Sequence, residues 1–493
     1  MHRCLAVFEQ DEAEVWQAVS MHSLQSVLSR HAPRFAQAAS GVRVLATPHH
    51  FYASILDAVR RAKSRVLLSS LYLGGGAQSS ALVQALIDAK RARPNLQITL
   101  VFDALRSARR DAALSTFEQL RPVIAADAAR FFVHHNVNAT GVYERVLPER
   151  WNELPGVHHM KVYVFDDEVC LSGANLSETY FSDRRDRYMW LSDAAPIAAH
   201  YERLFERVVL PHSHQVLPDA PPTLARAHTH RAIETKFDVR LGAPTAGVAA
   251  VDAPGAFRRS LRGALDQFVA DEQALAAKDV STSDTWLYPS LQLGCVDFHQ
   301  DTRLLGDLVR AFERDSHLTL TSPYLNLTPE YLRMFLADRS QSLTLLTASP
   351  RANGFFTAKG ASRRVPAAYV LLERQFWDAA ERAGKRFQLH EYSRAGWTYH
   401  AKGLWYTPPG ASQPLLTLIG SANFGARSLW RDTEAQVTLL TENAALRQLL
   451  GDEQRALVAD STLVPDRQYL ETERDHVVPF WVHCATRVAR DVF

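Results

Sequence analysis

A chain of 493 residues with 47% hydrophobic content has material for two core-bearing domains, which excludes disorder as its main state. Its formal net charge of +2 sets up no overall positive field and so weakens a nucleic-acid-binding role, while the scattered cysteines (Cys4, Cys170, Cys295, Cys484) exclude a CxxC metal cluster and fit a reducing compartment. No uninterrupted apolar run approaches the roughly 20 residues of a membrane-spanning helix, so a lipid substrate would have to be met at the membrane surface.

Residues 1–14 carry Glu9, Asp11, Glu12 and Glu14, and no acidic residue follows until Asp57. The stretch from Met21 to Arg30 fits two readings equally, the acid-poor start of a mitochondrial transit peptide or the first amphipathic helix of the domain. Residues 1–40 are therefore set apart as an N-terminal helix or targeting segment. A first half is expected over 41–210, in the order strand (64–73), helix (79–92), strand (96–102), helix and strand (130–134). The Pro- and His-rich 212–225 and the Gly-, Ala- and Pro-rich 242–255 read as loops within a linker and helical elaboration over 211–283. The second half, 284–493, repeats the first: Ser316 to Leu325 matches Ser64 to Leu73, a helix follows at 329–338, a strand at 343–347, and Arg386-Phe387-Gln388-Leu389-His390 matches Arg130-Phe131-Phe132-Val133-His134. Alternating strands and helices predict an α/β sandwich in each half. At the end, 479–490 mixes large apolar residues with arginines, a pattern for a helix lying in a membrane interface or docked on its own domain.

Each half carries one copy of a motif, His159-Met160-Lys161 leading to Ser172-Gly173-Ala174-Asn175, and His400-Ala401-Lys402 leading to Gly420-Ser421-Ala422-Asn423. With 20 histidines and 8 lysines, His-x-Lys should arise by chance only about 0.3 times. Both copies enter strand-like runs, where residues two apart share a face, so each His stands beside its Lys. An imidazole can attack phosphorus, while ammonium and amide groups hold the non-bridging oxygens whose charge grows in the transition state. Two such sets around one phosphate supply a nucleophile and an acid–base partner with no metal or cofactor required. Eleven residues past each Asn stands an acid, Asp186 and Glu434, placed to orient a catalytic His.

The paired His-x-Lys…Asn motifs resemble the phospholipase D superfamily, whose half-sites meet at a pseudo-two-fold axis. Asp166 stands at that family's Asp position, five residues after Lys161; the second copy has Thr407 there, and the first turn reads Ser-Gly-Ala-Asn where Gly-Ser-x-Asn is usual. Longer strings narrow the resemblance to its phosphatidylglycerophosphate synthase branch: Ser70-Leu71-Tyr72-Leu73-Gly74, Asn175 through Tyr180-Phe181 and Arg187-Tyr188, Ser349-Pro350 with Asn353-Gly354-Phe355-Phe356, Gly396-Trp397, and Gly420-Ser421 through Glu434-Ala435-Gln436.

The resemblance implies two phospholipase D-like α/β sandwich domains related by a pseudo-two-fold axis, with the active site at their interface. It implies transfer of a phosphatidyl group from CDP-diacylglycerol to glycerol 3-phosphate, giving phosphatidylglycerophosphate and CMP, the first committed step toward phosphatidylglycerol and cardiolipin. His159, Lys161, Asp166, Asn175, Asp186, His400, Lys402, Asn423 and Glu434 are the expected catalytic set, with His159 as nucleophile through a phosphatidyl-histidine. Lys359, Arg106, Arg109, Arg185, Ser421 and Trp397 are the expected substrate-binding residues, and Trp286 and Tyr288 read as core or as pocket lining. The expected setting is the mitochondrion, peripheral on the inner membrane, without nucleic acid as partner and with oligomeric state open. The rivals are another phospholipid synthase or hydrolase of the same superfamily (phosphatidylserine- or cardiolipin-forming), a nucleic-acid phosphodiesterase and a non-catalytic scaffold.

Overall fold

Runs such as Val66-Leu67-Leu68 and Leu100-Val101-Phe102 are apolar at every position, and such strands must be covered on both faces. The computed structural model describes residues 21–111, 114–140, 152–218, 228–358 and 360–489, and in it these runs form the centres of two large sheets. In the first, the spatial order is Arg130–His134, Gln97–Asp103, Arg65–Ser69, Val162–Phe165, Glu168–Ser172, Tyr188–Leu191 and Val42–Val44. In the second it is Phe387–Tyr392, Ser342–Ala348, His317–Thr321, Gly403–Thr407, Leu416–Gly420, Thr433–Thr441 and Thr285–Leu293. Both series run parallel over their first three strands and antiparallel thereafter. The repeat read in the sequence is thus a repeat of sheet topology.

Strand alternation distributes the core into three layers. Val162, Val164 and Leu171 of the first sheet meet Leu287, Trp405, Ile419 and Val437 of the second in one shared inter-sheet core. Tyr163, Phe165 and Trp190 face the opposite way, under the helices Pro48–Arg61 and Ala77–Ala92. Leu404, Tyr406 and Leu418 do the same on the outer side of the second sheet. Trp286 and Tyr288 belong to that outer core, not to a pocket.

One segment departs from expectation, and the N-terminal stretch takes the helical form of its two readings but packs on the second half. His214–Pro218, expected as loop, is a strand pairing with Arg130–His134 and Val239–Leu241, so the region beyond 210 extends the first sheet. Valine, leucine and a half-buried alternation outweigh the flanking prolines. The helix at 21–31 buries Met21, Leu24, Val27 and Leu28 in the outer core of the second half, and Phe35–Ala36 pairs with Trp286–Leu287. Residues 21–36 are therefore structural parts of the second half.

Arg187 ties the halves together. From the first half it donates to both carboxylate oxygens of Glu453 at 2.9 and 2.8 Å, to the Leu418 carbonyl and to the Thr417 hydroxyl, with its guanidinium 3.8 Å from the Trp405 ring centroid. Both members of the pair are buried. Removing one partner strands a buried charge, so Glu453→Ala is expected to destabilise the protein by about 3–5 kcal/mol. Chemical denaturation measures this, and a loss below about 1 kcal/mol would contradict it.

Candidate active site

Each motif is anchored to the opposite half. The His159 amide donates to the Thr433 carbonyl at 3.0 Å, and the next residue, Glu434, accepts from His159 Nδ1 at 2.8 Å. In the other direction the His400 amide donates to the Arg185 carbonyl at 2.7 Å, and Asp186 accepts from His400 Nδ1, also at 2.7 Å. Each carboxylate therefore orients the histidine of the other half. Gly173 permits this closeness, since a Cβ there would lie 2.9 Å from Lys402 Cδ and 3.0 Å from the Gly420 carbonyl.

Nδ1 donation to a carboxylate fixes the tautomer with the Nε2 lone pair free for chemistry. His159 Nε2 is not engaged by any side chain among the described residues, whereas His400 Nε2 meets the Tyr180 hydroxyl at 3.1 Å. The two imidazoles are thus inequivalent: one presents an open lone pair, the other sits in a proton-sharing contact. Lys161 Nζ donates to the His159 carbonyl at 2.8 Å and Lys402 Nζ to the His400 carbonyl at 2.6 Å, which places each ammonium beside its imidazole. Asn175 accepts from Ser70 Oγ and donates to Tyr180; Asn423 holds its Oδ1 buried and unpartnered among the described residues.

Burial dominates the electrostatics. It pushes the Lys161 ammonium down to about 7 and that of Lys402 to about 8, and pushes the Asp186 carboxyl up to about 6. Both histidines are held well below their ordinary value, first by burial and then by the nearby lysines. They rest as neutral imidazoles, the nucleophilic form. Glu434 is raised by burial and opposed by Lys161 and by the hydroxyls of Ser421 and Ser428, the latter donating at 2.7 Å.

These groups open on a cleft of about 480 Å³. His159, His400, Asn175, Asn423, Tyr180 and Tyr324 form its inner wall, Arg106, Arg109, Arg184, Arg364 and Arg427 its basic flanks, and Trp481 and Val482 part of its mouth. A phosphate entering it would meet two imidazoles and two carboxamides, with the Lys161 and Lys402 ammonium groups buried close behind.

The structure brings together His159, Lys161, Asn175, Asp186, His400, Lys402, Asn423 and Glu434, along with Arg106 and Arg109. Of the others, four are placed away from the cleft and one lies outside the described residues. Asp166 lies at the far end of the strand from His159, with a positive φ of 49°, and accepts from the Lys63, Ser64 and Arg65 amides: it closes a turn and touches no part of the cleft. Arg185 reaches away to the Ala46 carbonyl, leaving only its own carbonyl for His400. Trp397 packs against the shared core under Arg394, 4.0 Å away. Ser421 serves Glu434 and is no substrate contact. Lys359 lies outside the described residues.

Chain spacing showed no metal-binding cluster, yet His159, Asp432 and Glu434 converge within ligand distance of one another, as do Glu373, Glu391 and His476. In the first trio Asp432 accepts from the Val157 amide and from Arg427, and both Glu434 oxygens accept from His159 and the serines. Its oxygens are engaged in orienting neighbours.

Tyr180, Arg184, Tyr324, Arg427 and Ser428 were missed as site residues. Tyr180 and Arg427-Ser428 stood inside the resemblance strings without a role, and Tyr324 stood inside the internal repeat opposite Tyr72, which also lines the cleft; Arg184 gave no signal in a single sequence.

The family described as cardiolipin synthase, PLD-like domain, matches residues 55–209. CDP-diacylglycerol–glycerol-3-phosphate 3-phosphatidyltransferase, mitochondrial, from Gallus gallus is 36% identical over 481 residues, covering 94% of this chain and 85% of that protein. The Homo sapiens protein of the same name is 36% identical over 476 residues, covering 94% and 84%. A probable enzyme of that name from Dictyostelium discoideum is 31% identical, covering 88% and 75%. Among solved structures, phosphatidylserine synthase of Haemophilus influenzae Rd KW20 superposes with a TM-score of 0.69 at 18% identity, over 96% of this chain and 97% of that one, which shows a common fold.

The shifted groups set a pH profile. Asp186 must be ionised to hold His400, so turnover falls as pH drops through about 6; the lysines must be protonated to neutralise phosphoryl oxygens, so turnover also falls as pH rises through about 7 to 8. The kcat/KM profile should be a bell between these limits. Asp186→Asn, which cannot titrate, should lose the acid limb and about 10–100-fold in rate. An unchanged acid limb in that variant would assign it to another group.

Proposed function

The chain belongs to the family of CDP-diacylglycerol–glycerol-3-phosphate 3-phosphatidyltransferases, and we propose that it joins CDP-diacylglycerol to glycerol 3-phosphate by double displacement at the paired His-x-Lys sites. The observation that carries this reading is identity at the 36% level over nearly the whole chain together with two His-x-Lys…Asn half-sites whose histidines and asparagines line one cleft.

His159 Nε2, the open imidazole, attacks the phosphatidyl phosphorus. The N–P bond forms as the P–O bond to CMP breaks, its electron pair leaving on the CMP phosphate. Lys161, Lys402, Asn175 and Asn423 stabilise the non-bridging oxygens. The acceptor hydroxyl then attacks from the His400 side, giving its proton to His400 Nε2, while the N–P bond returns its electron pair to His159. Glu434 and Asp186 keep both rings in register throughout.

A lipid surface is the proposed setting. Among the described residues no helix is long and apolar enough to cross a membrane. The helix Phe480–Ala489 packs on its own domain through Val482 and Thr486, while Phe480 and Trp481 are 83% and 52% exposed beside the cleft mouth. Exposed aromatics there suit insertion among acyl chains. The relatives named mitochondrial support a mitochondrial setting, and the inner membrane is the surface proposed within it.

Labelled CDP-diacylglycerol offered with glycerol 3-phosphate, glycerol, serine, phosphatidylglycerol and water together should yield mainly phosphatidylglycerophosphate; phosphatidylserine, cardiolipin or phosphatidic acid as the main product would refute this. His159→Ala should release no CMP. His400→Ala should give a burst near one equivalent and an acid-labile phosphatidyl adduct on His159, detectable by mass spectrometry. An adduct on His400 in the reciprocal variant would reverse the two roles.

A further inference from the structure

Five arginines line the cleft, and the charges of three are met by carboxylates. Arg106 pairs with Asp111 at 3.3 Å, Arg109 with Glu153 at 2.9 Å and Arg427 with Asp432 at 3.2 Å. Arg364 is exposed, where water solvates it. Arg184 is different: it is half-buried and, among the described residues, no carboxylate pairs with it. Its Nε donates to Thr398 Oγ1 at 3.1 Å and its guanidinium lies 4.7 Å from the Tyr180 ring centroid, contacts that aim the group without neutralising it. A half-buried cation left uncompensated is unfavourable, and an anionic ligand offsets that cost.

We propose that Arg184, given room by Gly354 and set beside Tyr324, forms a phosphomonoester subsite that receives the phosphate of the acceptor. The inference rests on the reading above and assigns residues to a specificity which that reading leaves unassigned.

Three observations place the subsite. Arg184–Arg185 and Thr398–Tyr399 form a two-stranded parallel ribbon between the halves, with Arg184 opposite Thr398 and the His400 amide bonded to the Arg185 carbonyl. The guanidinium and the base His400 therefore share one short, rigid element. A Cβ built on Gly354 would lie 2.8 Å from Arg184 Nη2 and 3.7 Å from the Tyr324 hydroxyl, so the bare glycine leaves the guanidinium room to stand beside Tyr324 at the cleft wall. Tyr324 also faces His400, with ring centroids 6.2 Å apart. Glycerol 3-phosphate carries its phosphate three carbons from the hydroxyl that His400 deprotonates. A guanidinium beside His400 binds that dianion with two parallel hydrogen bonds, a geometry an uncharged acceptor cannot use. In an in-line first displacement the CMP phosphate would depart on the side opposite His159, towards His400, so the same chemistry has two sources and the test must separate them.

Full-length wild type, Arg184→Gln, Arg184→Lys and Gly354→Ala are compared, with KM measured for glycerol 3-phosphate at saturating CDP-diacylglycerol and the converse. Arg184→Gln should raise the glycerol 3-phosphate KM by about tenfold or more, with a smaller change for CDP-diacylglycerol, and Arg184→Lys should recover part of the loss. Gly354→Ala keeps the charge and meets only the mobile end of Arg184, so it tests position without threatening the fold; it should raise the same KM. An unchanged glycerol 3-phosphate KM in Arg184→Gln, or an equal or larger rise for CDP-diacylglycerol, overturns the inference. Failure of the wild type to form phosphatidylglycerophosphate instead overturns the functional reading beneath it.

Discussion

The catalytic centre depends on an exchange of carboxylates between the halves. Neither half orients its own histidine: Glu434 of the second holds His159 of the first, and Asp186 of the first holds His400 of the second. Each bond is reinforced one residue earlier in the chain by an amide–carbonyl bond in the same direction. A small slip of one sheet past the other would break both orienting contacts at once. The buried Arg187–Glu453 pair, the shared core and the ribbon carrying Arg184 hold that register, so packing remote from the cleft is a condition of its chemistry.

Burial gives the site its poise. In water the two lysines would be cations at any ordinary pH and the histidines would titrate near neutrality. Enclosed together, imidazoles are held neutral while ammonium and carboxylate groups approach each other in proton affinity. Such a centre is least comfortable empty. An incoming phosphodiester brings the negative charge that the lysines lack, and binding and protonation of the site become one event.

Much of this was legible in the chain. The duplicated His-x-Lys motifs, their asparagines and the equal spacing to Asp186 and Glu434 gave the core of the site, because local spacing on strands dictates which side chains share a face. Strand alternation also gave the α/β class and the repeat. What the sequence hid was pairing across long separations. That Asp186 serves the other half's histidine, that Asp166 merely closes a turn and that Arg185 turns outward while Arg184 turns inward are facts of tertiary direction. Adjacent arginines on a strand face opposite ways, and nothing in a single sequence says which way is in. The strand at His214–Pro218 was obscured similarly, its prolines and histidines signalling loop while its place at a sheet edge tolerated them.

The position of residues 21–36 in the second half governs the order in which the molecule can assemble. Phe35 pairs with Leu287, so a segment synthesised at the start of the chain has no partner until the ribosome has passed more than half the sequence. By then seven strands of the first sheet, from Val42 to Leu191, have all emerged and can close upon one another. Domains generally fold as units during synthesis. The helix at 21–31, with Leu24 and Leu28 in the outer core of the second half, has no core to enter while only the first half has been made.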